Sequence, residues 1–394
     1  MKTFTTTVDG RTERWKDSKR YLWLLGLVVP LLPWGAWREA ERWGIDVFWW
    51  MGPIWILVLI PILDAVFGED RSNPPDWAVE QLAQDRFYRW CTYLYLPLQY
   101  AGLVLACWVV TTVEMSWIDQ LGYALTVGTV AGVAINTAHE LGHKKPKVER
   151  WLSKIALAQS GYGHFYVEHN RGHHTRVATP EDPASSRLGE SFWAFLPRTV
   201  VGGIRSAWEL EAKRLRHQGH SVWSLRHNDV LNAWAMSVVL FAGLIAVFGL
   251  RIVPFLVIQA VFGFSLLEVV NYLEHYGLLR QKTETGRYER CTPEHSWNSN
   301  HIASNVVLYQ LERHSDHHAH PTRRYQTLRH FDESPQLPSG YGLMLGLAYV
   351  PPLWRRVMDR RVLAMYDGDV TKANIHPPKR EKVLARYGAP TGAR

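Results

Sequence analysis

Cysteine is scarce in this chain of 394 residues, which has three: Cys91, Cys107 and Cys291. No two of them form a C-x-x-C pair, so the sequence excludes a cysteine-ligated iron–sulfur site of its own. Three unpaired thiols fit a reducing, cytoplasmic environment. The first twenty residues are polar, and we therefore expect no cleavable signal peptide.

Recognised nucleic-acid-binding motifs are also missing, although the formal net charge is +8. We therefore expect no nucleic-acid partner. The positive charge is grouped in short runs that suit anionic lipid headgroups or an acidic protein partner. These runs are Arg323/Arg324, Arg355/Arg356, Arg360/Arg361 and Lys379/Arg380/Lys382.

Charged residues are absent from six long stretches: 21–37, 47–63, 90–113, 121–138, 230–250 and 252–267. Most are long enough to cross a bilayer as a helix, which needs about 17–25 apolar residues. The 19 Trp are concentrated around these stretches, and Trp prefers the headgroup level. The pattern predicts an all-α integral membrane protein, a six-helix bundle, rather than a large soluble helical protein.

Lys and Arg near the ends of these stretches predict the orientation, because positive loops stay in the cytoplasm. Residues 1–20 are expected to be cytoplasmic, followed by four transmembrane helices in 21–138 and two more in 230–275. The polar segments 139–229 and 276–394 then return to the cytoplasm. Positive charges follow the fourth stretch at once, at Lys144, Lys145, Lys147, Arg150 and Lys154.

Histidine is the residue type that points to chemistry. The chain has 18 His, and nine of them fall in four short clusters outside the predicted spans or at their ends. The clusters are His139 and His143; His169, His173 and His174; His275; and His314, His317 and His318. Side chains three or four residues apart share a helix face, so each such pair can direct two imidazoles at one centre. The adjacent His174 and His318 can then reach a second centre.

Nine imidazoles are too many for one metal ion, and two ions are the natural number. Imidazole binds Fe, Cu, Ni and Zn, so the ligand type does not select the metal. The "HELGH" at 139–143 also matches the H-E-x-x-H of zinc metalloproteases. A protease would use His139, His143 and one further ligand, and would leave the other clustered histidines unexplained.

The motifs "HELGH", "EHNRGHHTRVATPEDPASSR", "NYLEHYGL" and "LERHSDHHAH" resemble the histidine boxes of AlkB-type alkane monooxygenases. These belong to the membrane di-iron group that also contains fatty-acyl desaturases and hydroxylases; "NYLEHYGL" with the following "HSWNSNH" favours the alkane branch. The resemblance covers about residues 20 to 350. It implies a membrane bundle with a cytoplasmic helical cap that carries the boxes, and two non-haem Fe ions. It further implies terminal hydroxylation of n-alkanes with O2, in the bacterial inner membrane, with electrons from rubredoxin, which rubredoxin reductase and NADH reduce.

Polar residues beside the boxes are expected to orient the imidazoles. They are Glu140, Glu168, Asp182, Asn271, Glu274 and Asp316. Glu268, in the last span, is expected to face the interior of the bundle. Trp55 is large and lies near the middle of the second span, where it is able to close a substrate channel; packing against lipid or another helix is the alternative.

Two alternative functions follow from the same boxes. One is a membrane desaturase or hydroxylase acting on acyl chains, or a xylene-type monooxygenase acting on aromatic methyl groups. The other is a metal transporter, which would need histidines along a transmembrane path, whereas these lie at one membrane face.

Overall fold

The computed structural model describes residues 1–8 and 11–388. The described part is mainly helical, with one small antiparallel hairpin at its start, β1 Lys2–Val8 and β2 Arg11–Asp17. The α-helices are α1 Leu32–Trp43, α2 Met51–Ile54, α3 Ile60–Phe67, α4 Asp76–Gln84, α5 Arg86–Tyr93, α6 Tyr95–Thr112, α7 Trp117–Gly142, α8 Lys147–Ala158, α9 Phe165–Val167, α10 His174–Arg176, α11 Phe192–His217, α12 Asp229–Phe248, α13 Val253–His275, α14 Ile302–Val307, α15 His314–Ala319, α16 Tyr341–Ala348, α17 Pro351–Met365 and α18 Arg380–Tyr387.

Shorter helical turns join these elements. The 3-10 turns are Leu22–Leu31, Asp46–Trp50, Leu250–Ile252, Pro293–His295, Tyr325–Thr327, Val370–Lys372 and Pro377–Lys379. Two further segments are π-helices, Trp55–Leu59 and Glu168–His173.

The hairpin corrects the expectation of an all-α chain. Its first strand reads KTFTTTV, and the β-branched and aromatic residues in this stretch favour an extended backbone. Phe4 lies directly opposite Trp15 on the partner strand, with the two rings 5.9 Å apart. Lys2 and Arg20 both form ion pairs with Asp85 near the start of α5, so the hairpin is fixed to the bundle.

Five helical segments are long and apolar enough to cross a membrane. We number them to match the charge-free stretches: span 2 Asp46–Phe67, span 3 Arg86–Thr112, span 4 Trp117–Gly142, span 5 Asp229–Phe248 and span 6 Leu250–His275. The stretch 21–37 is not among the five. It forms the 3-10 turn Leu22–Leu31, which continues into α1, and the second half of α1 is charged. The described chain is therefore a membrane protein with five clear spans.

Spans 4 and 6 form the centre of the bundle because small residues let their backbones approach closely. A Cβ at Gly263 in span 6 would lie 2.8 Å from the Cβ of Ala131 in span 4. Span 2 also packs on span 4, where Thr126 accepts the backbone N–H of Gly52 at 2.9 Å. Spans 2, 4 and 6 thus lie together; span 4 carries His139 in its last turn and is followed by His143, and span 6 ends at His275.

Candidate metal centre

The structure gathers all nine clustered histidines into two groups. Within each group the potential ligand nitrogens lie within 4.8 Å of one another. The first group, cluster A, contains His139, His143, His169, His174 and His317. The second group, cluster B, contains His173, His275, His314 and His318.

Each histidine is held by the end of a helix or by a short helical turn. His139 and His143 lie at the C-terminal end of span 4, and His275 is the last residue of span 6. The close packing of these two spans brings His275 near the box on span 4. His314, His317 and His318 lie on the short helix α15. The two clusters therefore lie at one end of the bundle.

The box at 169–174 does not divide as its spacing predicts. We expected His169 and His173, four residues apart, to face one centre. The structure instead groups His169 with His174, five residues apart, and turns His173 towards cluster B. The reason is the π-helix Glu168–His173, because a π turn joins residues i and i+5 rather than i and i+4.

The box at 314–318 also differs from the expectation, which paired His314 with His317. On α15 the residues four apart, His314 and His318, share cluster B, while His317 faces cluster A. Adjacent histidines are thus divided between the clusters in both boxes. This part of the prediction, that adjacent residues serve different centres, agrees with the structure.

The nitrogen geometry fits metal ions. His174 Nε2 lies 3.0 Å from His169 Nε2 and 3.1 Å from His317 Nε2, and His318 Nε2 lies 2.9 Å from His314 Nε2. Two nitrogens that each bind one ion at about 2.1 Å are about 3 Å apart when they meet at a right angle. The Nε2 atoms of His139, His143, His173 and His275 are buried without a hydrogen-bond partner among the described residues. Buried polar atoms of this kind require a partner, and a metal ion provides one.

Burial sets the protonation state of the rings. All four histidines of cluster B are buried, whereas His143 and His174 of cluster A are partly exposed. Burial, followed by repulsion from neighbouring rings, lowers the pKa of His169, His174 and His317 well below the usual value. Neutral imidazole is the form that binds metals.

Two of the predicted orienting residues contact a box histidine. His173 Nδ1 lies 2.9 Å from Asp182 Oδ2, which leaves His173 Nε2 directed at cluster B. Burial opposes the ionisation of Asp182, but His173 and Ser185 hold its pKa down to about 2. His314 Nε2 lies 3.1 Å from Glu274 Oε2, and Tyr341 donates to the other oxygen of Glu274 at 2.7 Å.

Glu140 has other partners than the imidazole we expected. It forms an ion pair with Lys144 at 3.0 Å and accepts the Tyr325 N–H at 3.4 Å. Lys144 is four residues further along the chain, within reach on the same face, and it is buried. Glu140, which is next to His139 in the chain, therefore joins the end of span 4 to the turn Tyr325–Thr327.

Asp316 and Glu168 likewise contact groups other than the rings of the nine clustered histidines. Asp316 accepts from His320, Arg323 and the Arg329 N–H, which fixes the loop after α15. Glu168 pairs with Arg176 at 2.8 Å. This pair closes over Gly172, where a Cβ would lie 2.6 Å from the Glu168 carboxylate and 2.6 Å from the Arg176 guanidinium.

Glu268 and Asn271 belong to one buried network. Glu268 accepts from Tyr162 at 2.7 Å, Thr199 at 2.8 Å and Asn271 at 3.2 Å. Glu268 does face the interior of the bundle, as expected. Tyr162 and Thr199 were not identified from the sequence, since an isolated Tyr or Thr gives no pattern.

Trp55 is half-buried and begins the π-helix of span 2. It lines an apolar groove of about 360 Å³ between the Leu22–Leu31 turn, α3 and α14. Leu22, Leu25, Ile302 and Val306 form much of the remaining wall.

A bundle of membrane helices with nine histidines in two groups at one end defines a class of membrane metalloprotein. The family model for fatty acid desaturases matches residues 115–346, which include all nine histidines. An alkane 1-monooxygenase of Acinetobacter baylyi is 48% identical over 382 residues, 96% of this chain and 93% of its own. Another, from Pseudomonas putida, is 48% identical over 99% of this chain and 96% of its own.

A xylene/toluene monooxygenase hydroxylase component of Pseudomonas putida is 25% identical over 85% of this chain and 88% of its own. The chain belongs to the fatty acid desaturase family and, within it, to the alkane 1-monooxygenases.

Proposed function

We propose that this chain hydroxylates the terminal methyl group of medium-chain n-alkanes to give 1-alkanols, using O2 and electrons from rubredoxin. The observation on which the proposal rests is the pair of histidine clusters at the end of spans 4 and 6. The alkane 1-monooxygenases that it resembles are 42–49% identical to it, against 25% for the xylene/toluene enzyme. This difference favours alkanes over aromatic methyl groups as the substrate.

Two iron ions would occupy the clusters, one held by the five histidines of cluster A and one by the four of cluster B. When bound, the irons would supply the reductive activation of O2. The protein itself orients His173 through Asp182, which contacts its Nδ1, whereas Glu274 contacts the Nε2 of His314, the nitrogen that faces cluster B. Burial of cluster B excludes water from the side of the site formed by span 6.

The groove beside Trp55 supports an apolar substrate that enters from the bilayer. Its volume of about 360 Å³ falls within the range of small-molecule sites, about 300–1,000 Å³. Trp55 is the tenth residue of the 22-residue span 2, so it lies near the middle of the membrane. We propose that its indole closes the far end of the substrate channel and thereby limits the chain length.

The electron donor is proposed to approach the clusters at His143 and His174, the two cluster residues that are partly exposed. Arg323 and Arg324, one of the basic runs that suit an acidic partner, already form ion pairs with Asp316 and Glu149. Their charge is therefore largely neutralised. The exposed Lys145 and Lys147 lie two and four residues after His143 and offer positive charge to an acidic rubredoxin.

The membrane arrangement follows from the same proposal. The apolar side chains of the Leu22–Leu31 turn point outwards, with Leu22, Leu25 and Leu31 39–49% exposed, which supports a sixth crossing that continues into α1. The histidine clusters would then face the cytoplasm from the inner membrane, within a helical cap formed by the segments after spans 4 and 6.

Product analysis tests the function directly. The purified chain is supplied with rubredoxin, rubredoxin reductase, NADH and octane, and the products are separated by gas chromatography. We expect 1-octanol. Internal octanols would contradict terminal selectivity, and turnover of only acyl chains or xylene would identify the desaturase-type or aromatic-methyl alternative.

A further inference from the structure

Helices α17 and α18 enclose a surface pocket of about 490 Å³ that is lined mainly by arginine. Its wall contains Arg355, Arg356 and Arg360 from α17 and Arg386 from α18, together with Pro352 and Tyr387. None of these four guanidiniums forms an ion pair with another described residue, in contrast to Arg198, which pairs with Glu190 at 2.8 Å. The pocket thus concentrates positive charge that the described chain does not balance.

The carboxylate on the same helix, Asp359, already accepts two hydrogen bonds. Asp359 accepts the hydroxyl of Tyr276 at 2.9 Å on one oxygen and that of Tyr387 at 3.0 Å on the other. A further cation lies nearby, since burial and the positive Arg355 lower the pKa of Lys379. The arginines are therefore free to bind an anion from outside the protein.

The contacts of α17 fix the depth of the pocket relative to the membrane. Trp354 packs on Tyr272 and Tyr276, with ring distances of 5.1 Å and 5.3 Å, at the end of span 6. Two turns later, Val362 lies against Gly277, where a Cβ would be 2.8 Å from its side chain. Residues 355–360 therefore lie level with the end of span 6, and the ends of a spanning helix are expected near the boundary between acyl chains and headgroups.

Exposed apolar side chains lie just before the arginines along the chain. Leu343, Val350 and Leu353 are 44–48% exposed, and Trp193 is 57% exposed. Trp193 donates its indole N–H to the backbone oxygen of Tyr349 at 3.1 Å, which places the ring at this boundary. Trp with a hydrogen-bonded indole is typical of the headgroup level of a membrane. An apolar strip thus ends at a basic pocket.

We propose that this arginine pocket binds the phosphate of an anionic phospholipid from the leaflet nearest the histidine clusters. The acyl chains would lie along Leu343, Val350 and Leu353, and the arginines would donate paired N–H groups to the phosphate oxygens. The depth and the adjoining apolar strip favour a lipid over an acidic protein, which would need a surface that projects into water. This inference does not depend on which reaction the histidine clusters support.

The test measures lipid retained by the full chain. The protein is reconstituted into nanodiscs of mixed phosphatidylcholine and phosphatidylglycerol and then extracted into detergent, and the retained lipids are counted by mass spectrometry. We expect the wild type to be enriched in phosphatidylglycerol, and the variant R355Q/R356Q/R360Q/R386Q to lose this enrichment by at least about tenfold. The matched control R216Q/R226Q/R287Q/R290Q removes four exposed arginines of the polar segments and should retain it.

Three results would overturn the proposal. Equal phosphatidylglycerol enrichment in the pocket variant and the wild type would show that the arginines bind no lipid. Stabilisation of the wild type by inorganic phosphate, with no response to phosphatidylglycerol, would identify a site for the free ion. Retained lipid with a raised KM for rubredoxin would identify a protein-docking surface. If the fourfold variant loses helical circular dichroism, R356Q/R360Q, which changes two exposed residues, replaces it in the same comparison.

Discussion

His169 and His174 lie five residues apart, yet their Nε2 atoms are 3.0 Å apart in the same cluster. The π-helix Glu168–His173 makes this approach possible, because its turn is one residue longer than that of an α-helix. The extra residue also turns His173 away, towards cluster B. One local change in helix geometry therefore allows a single box to supply both clusters.

Gly172 is expected to be essential for this turn. Replacing it with Ala would push a methyl group against the Glu168–Arg176 ion pair and would favour a regular α-helix. We expect G172A to lose metal from cluster A and to unfold with about 1–3 kcal/mol less stability. The measurements are iron content and chemical denaturation. Gly243→Ala is the control, since a Cβ there meets nothing within 4 Å; equal iron content in the two variants would refute the argument.

The two clusters predict the metal content. Protein purified without added metal should contain close to two irons per chain, because two separate groups of imidazoles are present. His275→Ala should lower the iron content because cluster B loses a ligand, and His143→Ala should do so because cluster A loses one. The exposed His217→Ala is the control and should keep both irons. One zinc and no iron in the wild type would favour the metalloprotease alternative instead.

The structure places all nine histidines at one end of the bundle. Spacing along the chain marks eight of them, all except His275, which was chosen for its place at the end of a predicted span. It did not predict their division between clusters, since spacing rules assume 3.6 residues per turn and the 169–174 box is a π-helix. The roles of Glu140 and Asp316 were also misassigned. Closeness along the chain identified them, but Lys144 and Arg323 compete for their carboxylates, and such competition appears only after folding.

For the fold too, features set by local composition were predicted, and features set by detailed backbone geometry were not. Long charge-free stretches identified five spans that the structure contains. A count of apolar residues placed the stretch 21–37 in the same class as the other five. It could not show that this stretch folds as a 3-10 turn or that it continues into the charged half of α1. The strand pair β1 and β2 was missed although the Thr-rich first strand and the Phe4–Trp15 pair favour strands.

Glu140 offers a test that separates a structural from a catalytic role. E140Q should leave Lys144 buried without a counter-ion and cost about 3–5 kcal/mol of unfolding free energy, while most of the iron stays bound. The double variant E140Q/K144M removes both charges and should recover much of the stability and the hydroxylation rate. His139→Ala should lose activity outright. A fully inactive but stable double variant would show that Glu140 acts in the chemistry itself.

Trp55 is expected to limit the length of the substrate. Trp55→Ser should open the groove beyond mid-membrane and extend activity to longer alkanes. Iron content and activity on short alkanes should persist, because Trp55 is not among the residues that could hold the metal. Product analysis on a mixture of alkanes of increasing length measures the change, with Trp117→Ser, 74% exposed at the start of span 4, as the control. An unchanged product range would mean that Trp55 only packs against lipid or helices.

Electron delivery should depend on salt, because the proposed docking face is basic. Lys145 and Lys147 are exposed near the partly exposed residue His143, and rubredoxins are typically acidic. Exposed charges are screened over about 8 Å at physiological ionic strength, so turnover at limiting rubredoxin should fall as salt rises. We expect K145Q/K147Q to raise the KM for rubredoxin several-fold, to weaken its salt dependence, and to leave kcat nearly unchanged. K282Q/K372Q, which removes two exposed lysines elsewhere, should behave as wild type. Turnover that is indifferent to salt in the wild type would exclude electrostatic docking at this face.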